Sequence, residues 1–306
     1  MSGWTCIAIS LAIHTNISHS SGIGAALVEE YAAPDIHLVL IARNADRLHY
    51  MMERAQSQGA TAEAHSLEFF NPENVSKLQQ LLYHIDQEHA GIDIAINCTA
   101  VTAHRSDVLG RAAREDADGM SDRPEVTGEE WGSTVASRML QVNVNTAQTF
   151  ILTAWELMKA RRERPGGLET PAPKIILLAS SAAFFYPANF VLYSASKAYL
   201  YALGQSLQTL SAPYGIEITT VCPGFIESGM TLTMLKDGAT TPRVVLGNPR
   251  KLAKLIKRGE ERNEKVVLYP FSQSWVLYAA RALNPLLEVL GQWVGAATGT
   301  AAYTLT

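Results

Sequence analysis

A chain of 306 residues, 47% hydrophobic and 18% charged, holds enough apolar side chain for a full core, which excludes a disordered or fibrous polymer. Twenty-five Lys and Arg against 29 Asp and Glu leave a formal net charge of −4, so no global basic field would draw in nucleic acid. Cys6, Cys98 and Cys222 stand far apart without CxxC spacing, which argues against a disulfide framework or a zinc ribbon and fits a reducing, cytoplasmic setting.

The apolar start from Trp4 to Ile13 lacks a preceding Lys or Arg, and His14, Thr15 and Asn16 stop it short of a bilayer span. It reads as a buried strand, Cys6 to Ile13. Further short β-branched runs follow at His37 to Ala42, Ile92 to Asn97, Lys174 to Ala179, Ile216 to Val221 and Lys265 to Tyr269. Most are apolar on both faces, as strands of a covered parallel sheet are. Between them, Gly24 to Ala32, Ala45 to Gln58, Pro72 to Glu88, Ser137 to Arg161 and Ser194 to Ala212 can each carry an apolar stripe at helical spacing, as crossover helices would.

Two stretches break the rhythm. Arg105 to Glu130 is charged, glycine-broken and without apolar periodicity, and reads as a solvated excursion. Arg161 to Pro173 gathers Arg161, Arg162 and Arg164 with prolines and glycines and reads as a surface loop. Residues 1–270 are expected to form one domain. The apolar tail, 271–306, is interrupted by Asn284-Pro285, so neither half can span a bilayer. Three roles stay open for it: packing on the core or a partner subunit, capping an apolar pocket, or lying in a membrane interface.

After the first strand, Ser18-His19-Ser20-Ser21-Gly22-Ile23-Gly24 leads into a helix. A small-residue turn before a helix start aims free backbone N–H groups and the positive helix end at one point, an anion site. Small residues at such a turn can equally mean close packing. Arg43 ends the second strand at the offset where a doubly wound nucleotide fold places its ribose-selecting side chain. An acid there would favour NAD, whereas a guanidinium pairs with the 2′-phosphate of NADP.

Tyr193-Ser194-Ala195-Ser196-Lys197 places a phenol and an ammonium on one helix face. The ammonium should lower the phenol's pKa and make it a usable proton donor. No HExxH or other metal-ligand spacing occurs among the eight histidines, and no G-x-S-x-G elbow, so neither a metal centre nor a serine hydrolase is expected. Arg250, Lys251, Lys254, Lys257 and Arg258 read as the solvated face of a helix.

Together these motifs resemble the short-chain dehydrogenase/reductase family. The likeness runs from about Thr5 to Tyr269 and takes in the Gly-rich turn, Leu140 to Asn145, Leu178 to Ala183, Tyr193 to Lys197 and Pro223 to Met230. It implies an α/β fold, a single doubly wound Rossmann-type domain with a parallel sheet flanked by helices on both faces. It also implies hydride transfer between NADP(H), or secondarily NAD(H), and a small carbonyl or secondary-alcohol substrate. By the resemblance Tyr193 is the acid/base, Lys197 holds the nicotinamide ribose, and Asn143 holds a relay water. A serine of the Ser180-Ser181 pair orients the substrate oxygen. The family's paired-serine pattern and its usual spacing point to different members, and Ser181 is favoured.

Cofactor contacts would come from Ser18, Ser21, Gly22, Ile23, Gly24, Arg43, Glu68 and Asn97, and from Tyr193, Lys197, Pro223, Ile226 and Ser228. The Ile226 backbone would meet the carboxamide. Homodimers or homotetramers are usual in the family, and the tail leaves room for peripheral membrane contact.

The chain also departs from the family pattern. Ile17 and Ser18 replace the Thr-Gly that opens the turn, and a serine forced to positive φ would cost about 1 to 2 kcal/mol. That corresponds to about a five- to thirtyfold loss of cofactor affinity. Asn97-Cys98-Thr99-Ala100 stands for Asn-Asn-Ala-Gly, and Glu68 for an Asp facing adenine. These changes support a rival expectation, a non-catalytic nucleotide-sensing or interaction protein. The aromatic run Phe184-Phe185-Tyr186 and the tail suggest an apolar substrate.

Overall fold

The computed structural model describes residues 5–11, 22–102, 133–185, 190–236 and 246–281. The 105–130 excursion, Ser18, Ser21, Tyr186 and the tail beyond residue 281 lie outside them. Seven strands form one sheet: β1 Thr5–Leu11, β2 Ile36–Ala42, β3 Thr61–Ser66, β4 Ile94–Cys98, β5 Lys174–Leu178, β6 Glu217–Pro223 and β7 Val266–Tyr269. Their order is β3-β2-β1-β4-β5-β6-β7, and every pairing is parallel. The order reverses between β1 and β4, which opens a crevice at the carboxyl ends of those strands.

The described helices are α1 Ile23–Tyr31, α2 Ala45–Gln56, α3 Asn74–Glu88, α4 Ser133–Leu140, α5 Ala147–Arg162, α6 Val191–Ser211, α7 Gly229–Lys236, α8 Pro249–Glu261 and α9 Phe271–Arg281. They cover both faces of the sheet because successive strand residues point to opposite sides. Val39, Ile41, Ile175 and Leu177 share one core with Leu78 and Leu82 of α3, Phe150 of α5 and Leu200 of α6. Leu38, Leu40, Ile176 and Leu178 share the other with Leu27 of α1, Leu48 of α2 and Ile256 of α8. Each fully buried side chain of this size contributes roughly 1.5 to 3 kcal/mol.

Three features differ from the sequence reading. β3 is a strand although Thr-Ala-Glu-Ala-His-Ser offers no apolar run, because it lies at the sheet edge, where it pairs only with β2. Arg162 is buried, and its guanidinium donates to the carbonyls of Gly167 and Thr170 at 2.8 Å and of Tyr214 at 2.8 Å, so it ties down a turn read as a bland surface loop. Between α4 and α5 the helix widens into a π-turn over Gln141–Thr146. Among the described residues no helix is long and apolar enough to cross a membrane.

Candidate active site

Tyr193 and Lys197 lie one turn apart near the start of α6. Lys197 is 2% exposed; its Nζ donates to the Leu178 carbonyl at the end of β5 at 2.9 Å and lies 5.7 Å from the centre of the Tyr193 ring. The two side chains therefore share one niche at the carboxyl ends of the strands. Tyr193 is partly exposed as a residue, but its hydroxyl end is enclosed and hydrogen-bonded with Ser180. Phe190 packs edge-on against the ring, with centroids 6.2 Å apart.

The serine differs from the one favoured in the sequence. Ser180, not Ser181, meets the phenol. Ser180 is the extended N-cap of the short turn Ser181–Ala183; its Oγ accepts from the Ala182 N–H at 3.1 Å and donates to the Pro223 carbonyl at 3.4 Å. Ser181 begins the helical turn, partly exposed, with its carbonyl accepting from Phe184 N–H.

The electrostatics also differ from the expectation of an acidified phenol. Burial pushes the Tyr193 pKa up to about 12, with the Ser180 hydrogen bond opposing it weakly. Burial likewise lowers Lys197 to about 8. Desolvation penalises the charged form of both groups and is the largest cause of each shift. At neutral pH the site therefore presents a protonated phenol beside a predominantly charged lysine.

Asn143 is fully buried in the π-turn. Its Oδ1 accepts from Val101 N–H at 2.8 Å, while its Nδ2 donates to the Val101 carbonyl at 2.8 Å and to Ser196 Oγ at 3.1 Å. Ser196 Oγ in turn donates to the Tyr193 carbonyl at 2.7 Å. The side chain is thus a clamp joining the segment after β4 to α6. Any water relay would have to use backbone groups that the wide turn releases from the i to i−4 ladder.

The crevice between β1 and β4 fits a dinucleotide. Gly22 opens α1 at φ 114°, and among the described residues no side chain caps that helix start and nothing stands within 4 Å of where a Cβ would be. Ile23 and Gly24 follow as the first helical residues, leaving backbone N–H groups directed outward. Asn97, two residues along β4 from Ala95, is fully buried, and among the described residues both its Oδ1 and Nδ2 lack a hydrogen-bond partner. A buried amide with nothing to bond is costly unless a ligand completes it.

Arg43, expected at the 2′-phosphate, and Glu68, expected to face adenine, lie beside each other with Nε to Oε2 at 3.8 Å. Arg43 also lies over the Phe70 ring at 5.4 Å, and Glu68 Oε1 accepts from Phe70 N–H at 3.0 Å. On the far side, Pro223 ends β6, and Ile226 bridges to Gly247. The Ile226 carbonyl accepts from Thr231 Oγ1 at 2.7 Å, and Ser228 Oγ meets the same hydroxyl at 3.1 Å, so this segment is held in a fixed turn. Phe184 packs against Tyr201 and Tyr278 as part of the core. One grouping had no signal in local spacing: the fold brings donor atoms of His37, Glu63 and His89 within 4.8 Å of one another, although no metal ligands were expected.

Comparison with known proteins matches residues 17–239 to the family model described as short chain dehydrogenase. The chain is similar to the 11-beta-hydroxysteroid dehydrogenase-like 2 of Arabidopsis thaliana, with 25% identity over 90% of this chain and 79% of the relative. It is similar also to the 3-oxoacyl-acyl-carrier-protein reductase FabG of Aquifex aeolicus, with 24% identity over 77% of this chain and 84% of the relative. In fold it is similar to a short-chain dehydrogenase from Sphingobium yanoikuyae solved in complex with NADPH, at a TM-score of 0.66 and 21% identity over 91% of this chain and 93% of the other.

Proposed function

The chain belongs to the short-chain dehydrogenase family, and on that premise we propose that it is an NADP(H)-dependent oxidoreductase acting on an apolar carbonyl or secondary-alcohol substrate. The observation that carries this reading is the convergence of Tyr193, Lys197 and Ser180 at the strand ends, beside the unpaired amide of Asn97. Bound in the crevice, the nicotinamide supplies or takes the hydride.

The protein's own part is to hold the substrate oxygen and move its proton. The Tyr193 hydroxyl and Ser180 form a pair at which a carbonyl oxygen can accept from Tyr193, and from Ser180 once its O–H leaves the Pro223 carbonyl. Tyr193, protonated at neutral pH, donates its proton as charge grows on that oxygen. Such a positioned acid typically contributes about 10² to 10⁴ in rate. Lys197, with its Nζ 5.7 Å from the centre of the Tyr193 ring, stabilises the resulting phenolate and anchors the cofactor ribose. Asn143 acts one step back, fixing α6 through Ser196. Gly22, Ile23 and Gly24, with Ser18 and Ser21 before them, would hold the pyrophosphate, and Pro223, Ile226 and Ser228 would border the nicotinamide.

Arg43 supports NADP(H) over NAD(H). It faces Glu68 at 3.8 Å, and a 2′-phosphate would give its guanidinium a charge-assisted fork. The apolar substrate rests on Phe190 beside the phenol and on the names of the relatives, one a hydroxysteroid dehydrogenase-like protein and one an oxoacyl reductase. A homodimer or homotetramer in the cytoplasm, with peripheral membrane contact through the tail, completes the proposal.

The test is a panel of ketones monitored by NADPH and NADH absorbance. Turnover with NADPH, retained cofactor binding in Tyr193→Phe and a loss of about 10²-fold or more in that variant's kcat are expected. Equal rates in Tyr193→Phe would remove the assigned acid. No thermal shift with either cofactor at millimolar concentration would move the assignment to the non-catalytic, nucleotide-sensing reading.

A further inference from the structure

At the sheet edge away from α6, three histidines from three elements face one carboxylate oxygen, that of Glu63. Glu63 Oε1 lies 3.3 Å from His65 Nε2, 3.6 Å from His89 Nε2 and 4.0 Å from His37 Nε2. Glu63 and His65 alternate on one face of β3, His37 is the second residue of β2, and His89 caps the end of α3. Ionic pairing alone would give hydrogen-bond geometry. Yet all four atoms, Glu63 Oε1 and the three Nε2, are individually shut off from solvent, and none has a hydrogen-bond partner among the described residues. Buried polar atoms left this way cost free energy that some ligand has to offset.

The rings are also oriented in advance. His37 Nδ1 is engaged with Thr61 Oγ1 at 2.8 Å, which leaves Nε2 for the cluster, and the His37 and His89 rings stack with centroids 4.1 Å apart. Engagement of the distal ring nitrogen is the usual support of a metal-bound histidine. Donor bonds of about 2.0 to 2.2 Å place tetrahedral ligand atoms roughly 3.3 Å apart. The contacts to Glu63 are 3.3 to 4.0 Å and the donor atoms of His37, Glu63 and His89 lie within 4.8 Å of one another, so binding would draw the three side chains together. Two or three imidazoles with one carboxylate suit a borderline divalent cation such as zinc better than calcium or magnesium, which take oxygen ligands.

We propose that His37, Glu63 and His89, with His65 against the same oxygen, form a zinc-class divalent-metal site that ties the edge strand β3 to β2 and the end of α3. The site stands apart from the proposed redox centre, since α6 packs on β5 and β6. It does not depend on that function.

The probe is zinc sulfate added to the full-length, chelator-treated protein and competed against a chromophoric zinc chelator. One equivalent bound per chain is expected, with a zinc-dependent rise in melting temperature. Glu63→Gln and His89→Ala should each weaken binding by about 100-fold or more, beyond what loss of a supporting partner costs, and should abolish the rise. His49→Ala and His84→Ala, which remove exposed histidines paired with Glu53 and Glu88, should change neither. His89→Ala alters only a helix end, so it reports even if the strand variant does not fold. Failure of the wild type to bind zinc would overturn the proposal, as would undiminished binding in His89→Ala.

Discussion

Lys197 is one of the largest side chains fully enclosed in the protein, and its burial is paid for in stability. Its pKa of about 8 against an ordinary 10.5 corresponds to roughly 3 kcal/mol of disfavoured charge. The sign follows from proton counts. Below pH 8 the lysine is charged in both folded and unfolded chains, and the whole penalty is present. Between 8 and 10.5 the unfolded chain holds more protons, so stability rises with pH until the penalty is gone. Lys197→Met removes the charge but leaves the Leu178 carbonyl without its donor, costing about 1 kcal/mol. The variant should therefore be about 2 kcal/mol more stable than wild type in urea at pH 7, lose that advantage by pH 10.5, and lack turnover. Greater stability of the wild type at pH 7 would show that the charge is compensated. The neighbouring residues mark how far the sequence could be read. Tyr-x-x-x-Lys fixed the pair because four residues are one helical turn. The choice between Ser180 and Ser181 depended on where an extended backbone gives way to a helical turn, a matter of one residue's φ and ψ.

Helix α6, which holds the proposed acid and its lysine, lies close against the sheet. A Cβ on Gly204 would stand 2.2 Å from Thr220 Oγ1 and 2.8 Å from Leu177 Cδ1. Gly204→Ala improves helix propensity by about 1 kcal/mol, yet it must push the helix off β5 and β6 or force their side chains aside, at about 1 to 3 kcal/mol. Net destabilisation by about 1 kcal/mol in urea is expected, with a larger proportional fall in kcat, because the shift moves Tyr193 and Lys197 away from Ser180. A stabilised, fully active variant would show that the contact is loose. The buried strands and the long helices were legible for the same reason, their uninterrupted apolar pattern. β3 was not, since an edge strand that is half-buried throughout and exposed at both ends has no such pattern. The π-turn was also hidden, because Gln-Val-Asn-Val-Asn-Thr differs in no propensity from an ordinary helical turn.

At the scale of the whole molecule, the strand order and its crevice follow from the alternation of strands and helices, but what gathers at a distance does not. His37, Glu63 and His89 belong to three elements and share no local spacing, so only the register of β2 with β3 and the end of α3 brings them together. The outer face of α6 poses a similar long-range question. Val191, Ala195, Tyr199, Ala202, Ser206 and Leu210 follow one another at helical spacing, all exposed, and the single charge on this 21-residue helix, Lys197, is buried. A solvated helix face ordinarily carries charge, and an uncharged apolar stripe on a long helix is what a subunit contact requires. A second copy of the chain is the natural occupant, because a two-fold axis lets the same stripe pack on itself. Light scattering should therefore give twice or four times the 33.3 kDa chain mass. Tyr199→Glu combined with Ala195→Arg should reduce that to one chain without loss of secondary structure. A wild-type protein that scatters as a single chain at micromolar concentration would leave the stripe to solvent and refute the assembly.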